Sequence, residues 1–192
     1  MGRVLFCILS LILMIDISYA QVAKRVLMVI APVNFRDEEL FETKRVLSSC
    51  GAKVDVASVV KGTAKGMMGG TYEVDLSISE VDLSNYSAVV FVGGTGATAL
   101  IDNRAVLELA RDAYRSGRVV GAICISPSIL ARAGILKGKR ATVWSSMADN
   151  LVKAGAIYTG RNVEVDGRIV TANGPWAARE FAESICRLLG YR

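Results

Sequence analysis

The sequence predicts an α/β fold of three layers, a mostly parallel sheet with helices on both faces. Three observations predict it. Continuous apolar runs of strand length recur at residues 25–31, 87–92 and 118–123, as expected of strands covered on both sides. Segments with a helical stripe separate them, so strand and helix alternate from Lys24 onward. No linker or repeat interrupts, and 192 residues with 52% from the hydrophobic set suit a single core. One domain is therefore expected over residues 24–190.

In chain order, residues 25–31 form the first strand. Residues 37–50 read as a helix with Leu40, Phe41, Val46 and Leu47 on one stripe, ended by Gly51. Residues 53–59 are a second strand. Residues 61–80 are Gly-rich and then alternate at Tyr72, Val74, Leu76 and Ile78, which suggests a small hairpin. The strand at 87–92 runs into Gly93-Gly94-Thr95-Gly96. A helix at 102–116, a strand at 118–123 and a short helix at 127–133 follow. Residues 140–144 read as a strand and 147–154 as a helix. Residues 163–170 form a hairpin turning at Asp166-Gly167, and 176–189 close the chain as an amphipathic helix.

Composition removes whole classes of function. Charges of both signs are interspersed and only 3 residues are Pro, which excludes a disordered protein. The net charge of +5 comes without a basic run, so nucleic acid is not an indicated partner. The chain has no His. A Ser-His-Asp or Cys-His hydrolase therefore cannot be built within it, nor a zinc site with a His ligand. With no Cys-x-x-Cys either, no metal site and no cofactor are expected.

Residues 1–20 have the layout of a secretory signal peptide. Arg3 supplies the positive start, residues 4–15 are apolar, and Ser18-Tyr19-Ala20 places small residues before a cut ahead of Gln21. The apolar stretch is short of the about 20 residues a membrane span needs. A secreted or periplasmic location is expected, with no membrane contact after cleavage; an uncleaved N-terminal anchor is the alternative. Removing Cys7 leaves Cys50, Cys124 and Cys186, an odd number, so at least one must stay free or pair with another molecule.

Cys124 has the context of a nucleophile. A buried strand stops at Cys124 and a helix starts at once, with Ser126 a good N-cap and Pro127 at the first helical position. Ala122 and Ser126 are small, as the sharp bend of a nucleophile elbow requires. A helix N-terminus lowers a thiol pKa and so favours the reactive thiolate. Cys50 and Cys186 lie on helices without such a context and read as small buried hydrophobes. Gly94-Thr-Gly96-Ala-Thr-Ala99 fits G-x-G-x-x-A, but the acid expected at the end of the next strand is absent, which disfavours a dinucleotide site.

These residues resemble the DJ-one/PfpI superfamily, which has a class I glutamine amidotransferase-like fold and a Cys elbow of the form A-I-C-x-G-P. Here that segment is Ala122-Ile-Cys124-Ile-Ser-Pro127, and the resemblance adds Asp37-Glu38-Glu39-Leu40, Gly93-Gly94 and Thr171-Ala-Asn-Gly-Pro175 in order. It implies a flavodoxin-like sheet, Cys124 as the nucleophile and Glu39 as a partly protonated carboxyl beside the sulfur. It also implies an oxyanion hole from Gly93, Gly94 and Ile125, pocket residues Trp144, Asn173, Gly174 and Pro175, and a homodimer or higher homo-oligomer.

The sequence departs from the family at two points. The peptidase branch has His directly after the cysteine, where this chain has Ile125, and another branch has a His where this chain has Trp144. The peptidase triad therefore cannot form. The Cys–Glu pair that survives fits addition to small reactive aldehydes or glycated groups, glyoxalase- or deglycase-like, or a thiol oxidised under stress. A holding chaperone without catalysis is the alternative from a different class.

Overall fold

The computed structural model describes residues 23–191. The predicted signal segment, residues 1–20, lies outside the described residues. The elements are β1 (Arg25–Val29), β2 (Val33–Phe35), α1 (Asp37–Ser49), β3 (Lys53–Ser58), β4 (Gly62–Gly66), β5 (Thr71–Val74), β6 (Leu76–Ser77) and β7 (Ala88–Phe91). They continue with α2 (Arg104–Arg115), β8 (Val119–Ile123), α3 (Pro127–Arg132), β9 (Arg140–Ala141), α4 (Ala148–Lys153), β10 (Ile157–Tyr158), β11 (Val163–Asp166), β12 (Ile169–Ala172) and α5 (Ala178–Leu188).

The main sheet has the order β11-β12-β8-β7-β1-β3-β6, and every pair in it is parallel except β11 with β12. This is the three-layer, flavodoxin-like architecture expected. The apolar runs are central strands: β7 and β8 are buried along their whole length, so alternate residues feed two cores. Met28, Val90, Ile123 and Val170 face α1 and α5, and Leu27, Val89, Val120 and Ile169 face α2, α3 and α4. Gly121 on β8 has a role here, because a Cβ there would meet the Phe181 ring of α5 at 2.9 Å.

Several expectations change. The stretch 61–80 does hold a hairpin, β4 with β5, but β2 joins it as a third strand and β6 leaves it for the main sheet. Residues 140–144 contribute only the two-residue β9, paired with β10 outside the main sheet. Phe41 is 40% exposed rather than part of the buried stripe of α1. It packs edge-on against Phe35 at 6.2 Å between ring centroids. Ser126 does not cap α3: its backbone is helical and its hydroxyl donates to the Val92 carbonyl at 2.8 Å, tying the turn to the end of β7.

Cys50 and Cys186 are not separate buried hydrophobes. They form a disulfide, with Cα atoms 6.5 Å apart, inside the range a disulfide spans. The bridge joins the C-terminal end of α1 to α5 across 136 positions of sequence, and Cys124 is the free cysteine among the described residues. The pairing was hidden because neither residue carries a local signal. Only the packing of α1 on α5 brings them together.

Candidate active site

Two parallel strands end, and one helix begins, at the same edge of the sheet, where α/β folds place ligands. β8 delivers Cys124, β7 delivers Gly93 and Gly94, and the first turn of α1 delivers Glu39. Cys124 adopts φ 63°, a left-handed conformation uncommon for a residue with a Cβ. The turn is held on both sides: the Cys124 N–H donates to the Ala172 carbonyl at 2.9 Å, and its carbonyl accepts from the Trp144 N–H at 2.7 Å.

Glu39 is fully buried, not a solvated acid. Its Oε2 accepts the Gly93 N–H at 2.9 Å, and its Oε1 is buried with no completed hydrogen bond, beside the thiol. Burial pushes this carboxyl up to about 7, against the pull of the thiol contact, the Gly93 N–H and the Arg36 charge. The crowding at Gly93 explains why only glycine fits there. A Cβ would lie 2.5 Å from the Cys124 Cβ and 2.7 Å from Glu39 Oε2.

The thiol behaves opposite to the helix-terminus expectation. Burial, and then the charge of Glu39, push Cys124 up to about 12, while the Gly94 and Ile125 N–H groups pull down only in part. α3 has just six residues, so its dipole cannot outweigh burial. The two groups are coupled: burial resists charge on either one, and the charge of Glu39 holds the proton on the Cys124 thiol. The oxyanion-hole expectation is corrected in one member. Gly94 and Ile125 offer N–H groups to the sulfur, whereas Gly93 spends its N–H on Glu39.

A cavity of about 440 Å³ opens onto Cys124. Ile125, Trp144, Pro175 and Trp176 form its apolar wall. A larger recess beside Arg132 and Lys153 does not include Cys124. Of the pocket residues expected, Trp144 and Pro175 line the cavity, whereas Asn173 and Gly174 do not. Asn173 turns to Asn162, donating its side-chain N–H at 3.3 Å, and Gly174 leaves room for the Trp176 ring, 2.8 Å from where a Cβ would stand.

A DJ-1/PfpI family model matches residues 24–188, nearly all of the described chain and all of the elements that build this site. The chain belongs to the DJ-1/PfpI family. An uncharacterized protein of Methanocaldococcus jannaschii, MJ0967, is 48% identical over 86% of this chain and 82% of its own length. The deglycase PfpI of Pyrococcus furiosus is 33% identical over 81% of this chain and 93% of its own. The crystal structure of a ThiJ/PfpI domain protein from Brachyspira murdochii superposes with a TM-score of 0.86 at 38% identity, covering 88% and 97% of the two chains.

This DJ-1/PfpI chain also has site residues that sequence reasoning missed. Arg36 lines the cavity, pairs with Glu38 at 2.9 Å and, through its backbone N–H, binds the Gly93 carbonyl at 3.0 Å. Asp37 accepts the N–H groups of Met68 and Gly70 at 2.8 and 2.7 Å, which holds the 66–70 turn so that Met67 reaches the cavity. Asp37 stood in the acidic helix start, but nothing local pointed to a partner some thirty residues away. Among the described residues, no group of three or more His, Cys, Asp or Glu comes together to hold a metal.

Proposed function

We propose that this chain is a thiol-dependent enzyme acting on reactive carbonyl compounds, glyoxalase- or deglycase-like, with Cys124 as nucleophile and Glu39 as its proton partner. One observation carries the reading: a buried carboxyl with an unfilled oxygen sits beside a buried thiol on a cavity wall. The deglycase named among the relatives supports the substrate class.

In this scheme the thiol proton moves to Glu39 and the sulfur adds to the aldehyde carbon. The S–C bond forms as the C=O π bond breaks, and the new oxyanion takes the proton back from Glu39. For a 1,2-dicarbonyl, Glu39 then removes the C1 hydrogen as a proton, which is returned to C2. C1 is oxidised and C2 reduced, so no external oxidant is needed. Water cleaves the resulting thioester to the 2-hydroxy acid and the free thiol. Gly94 and Ile125 N–H groups favour the thiolate at the start of this sequence.

Export is proposed with this function. The signal-like residues 1–20 support it, and so does the Cys50–Cys186 bridge, since disulfides persist in oxidising compartments. N-terminal sequencing of the protein from fractionated cells tests this; an intact Met1 on cytosolic protein would refute it. A homo-oligomer is likewise proposed on the family resemblance, and sedimentation measures it.

The deciding experiment incubates the purified protein with methylglyoxal, a glycated peptide and casein side by side. Consumption of the first two, lost in Cys124→Ala, is the expected result. Cleavage of casein alone would overturn the reading. So would activity that survives Cys124→Ala, and protection of a client protein in that variant would point instead to a holding chaperone.

A further inference from the structure

The cavity at Cys124 is larger than a three-carbon dicarbonyl requires. At about 440 Å³ it falls in the range of sites that enclose drug-sized ligands. Its wall is built from the chain's two tryptophans, Trp144 and Trp176, with ring centroids 5.4 Å apart and planes tilted by 44°. Trp144 is tied to the reacting residue itself, because its N–H donates to the Cys124 carbonyl. Trp176 is 61% exposed, although tryptophan is on average among the most buried side chains. Gly174 keeps the space this ring occupies free, since a Cβ there would stand 2.8 Å from the indole.

We propose that Trp144 and Trp176 are specificity-determining residues, which select carbonyl substrates carrying a planar aromatic group by stacking it on the open face of Trp176. An aryl 1,2-dicarbonyl of the phenylglyoxal type is the class that fits. Its ring covers an indole face now open to solvent, and its carbonyl carbon is presented to Cys124. Every π face stacks on an aromatic side chain with little directional demand, and the gain is about fivefold to 150-fold in affinity. The proposal deepens the carbonyl-enzyme reading and, for turnover, rests on it.

The first test compares kcat/KM for phenylglyoxal and methylglyoxal in the wild type, Trp176→Ala and Trp176→Phe. The wild type is expected to prefer phenylglyoxal by tenfold or more. Trp176→Ala should lower that ratio at least fivefold, with the change in KM for the aromatic substrate, and Trp176→Phe should restore most of it. Equal use of both substrates by the wild type, or equal loss of both in Trp176→Ala, overturns the proposal.

The second test does not need turnover. Both tryptophans lie in this cavity, so tryptophan fluorescence of Cys124→Ala, excited where tyrosine does not absorb, reports it alone. Acetophenone should perturb the emission saturably and acetone should not. An acetophenone response without turnover of either dicarbonyl would refute the carbonyl-enzyme reading while upholding the aromatic site. No saturable response would overturn the aromatic site whatever the turnover.

Discussion

The two ends of α1 put the same chemistry to opposite uses. At its N-terminal end Glu39 is buried with an incomplete hydrogen-bond set beside a free thiol. At its C-terminal end Cys50 is joined to Cys186, flanked by Arg45, Arg179 and Arg187, and titrates no longer. The first arrangement costs stability, since it holds two acids in a place that resists charge. The second restores stability by tethering the helix whose other end carries the cost. The contrast separates the end that carries the proposed site from the cross-linked end, and each end can be broken independently.

The largest effect belongs to the staple. Closing a loop of this length is worth about 5 kcal/mol in the chain-entropy view, so Cys50→Ala with Cys186→Ala should lower the thermal midpoint by many degrees. Carbonyl activity per folded molecule should persist, and calorimetry with parallel kinetics measures both. A double variant that melts like the wild type would remove the stabilising half of the comparison. Next comes Cys124→Ala, expected to cut kcat/KM by on the order of 10³-fold or more while leaving the melting temperature nearly unmoved.

Glu39→Gln follows, and its sign is set by burial. A carboxyl raised from 4.5 to about 7 stabilises the fold fully below about 4.5 and loses that contribution as pH rises through 7. The wild type should thus lose roughly 3 kcal/mol between pH 4.5 and 8 that the Gln variant keeps, measured by urea unfolding at both pH values. The same variant should move the rise in Cys124 alkylation to lower pH, because the Glu39 charge that pushes the thiol up is then gone. An unchanged pH profile of iodoacetamide labelling would remove Glu39 from the site. The smallest effect is expected for Asn173→Ala, which turns away from the cavity. It should change kcat/KM less than twofold and cost about 1 kcal/mol of stability through its bond to Asn162.

Much of this molecule is legible in its sequence. The central strands announce themselves as unbroken apolar runs because both of their faces are covered. The turn at Cys124 is visible because a strand meets Pro127 within four residues. The Glu39 assignment needed the family resemblance, since a lone acid in a first helical turn looks solvated. Phe41 and Ser126 depart from the sequence expectation for a common reason. Helical period and cap preference describe an isolated segment, whereas a phenyl ring on Phe35 and a hydroxyl on the Val92 carbonyl are choices made across space.

Sequence by itself determined the α/β alternation, the lack of any imidazole side chain and the strand-to-helix turn at Cys124, because these depend on composition and on local periodicity. Tertiary structure alone decided the Cys50–Cys186 bridge, the division of labour between Gly93 and Gly94, the anchoring of the 66–70 turn by Asp37 and the upward shift of the thiol. Each of those depends on how deeply a group is buried and on what lies beside it from distant parts of the chain, and burial and contact are properties of the packed molecule.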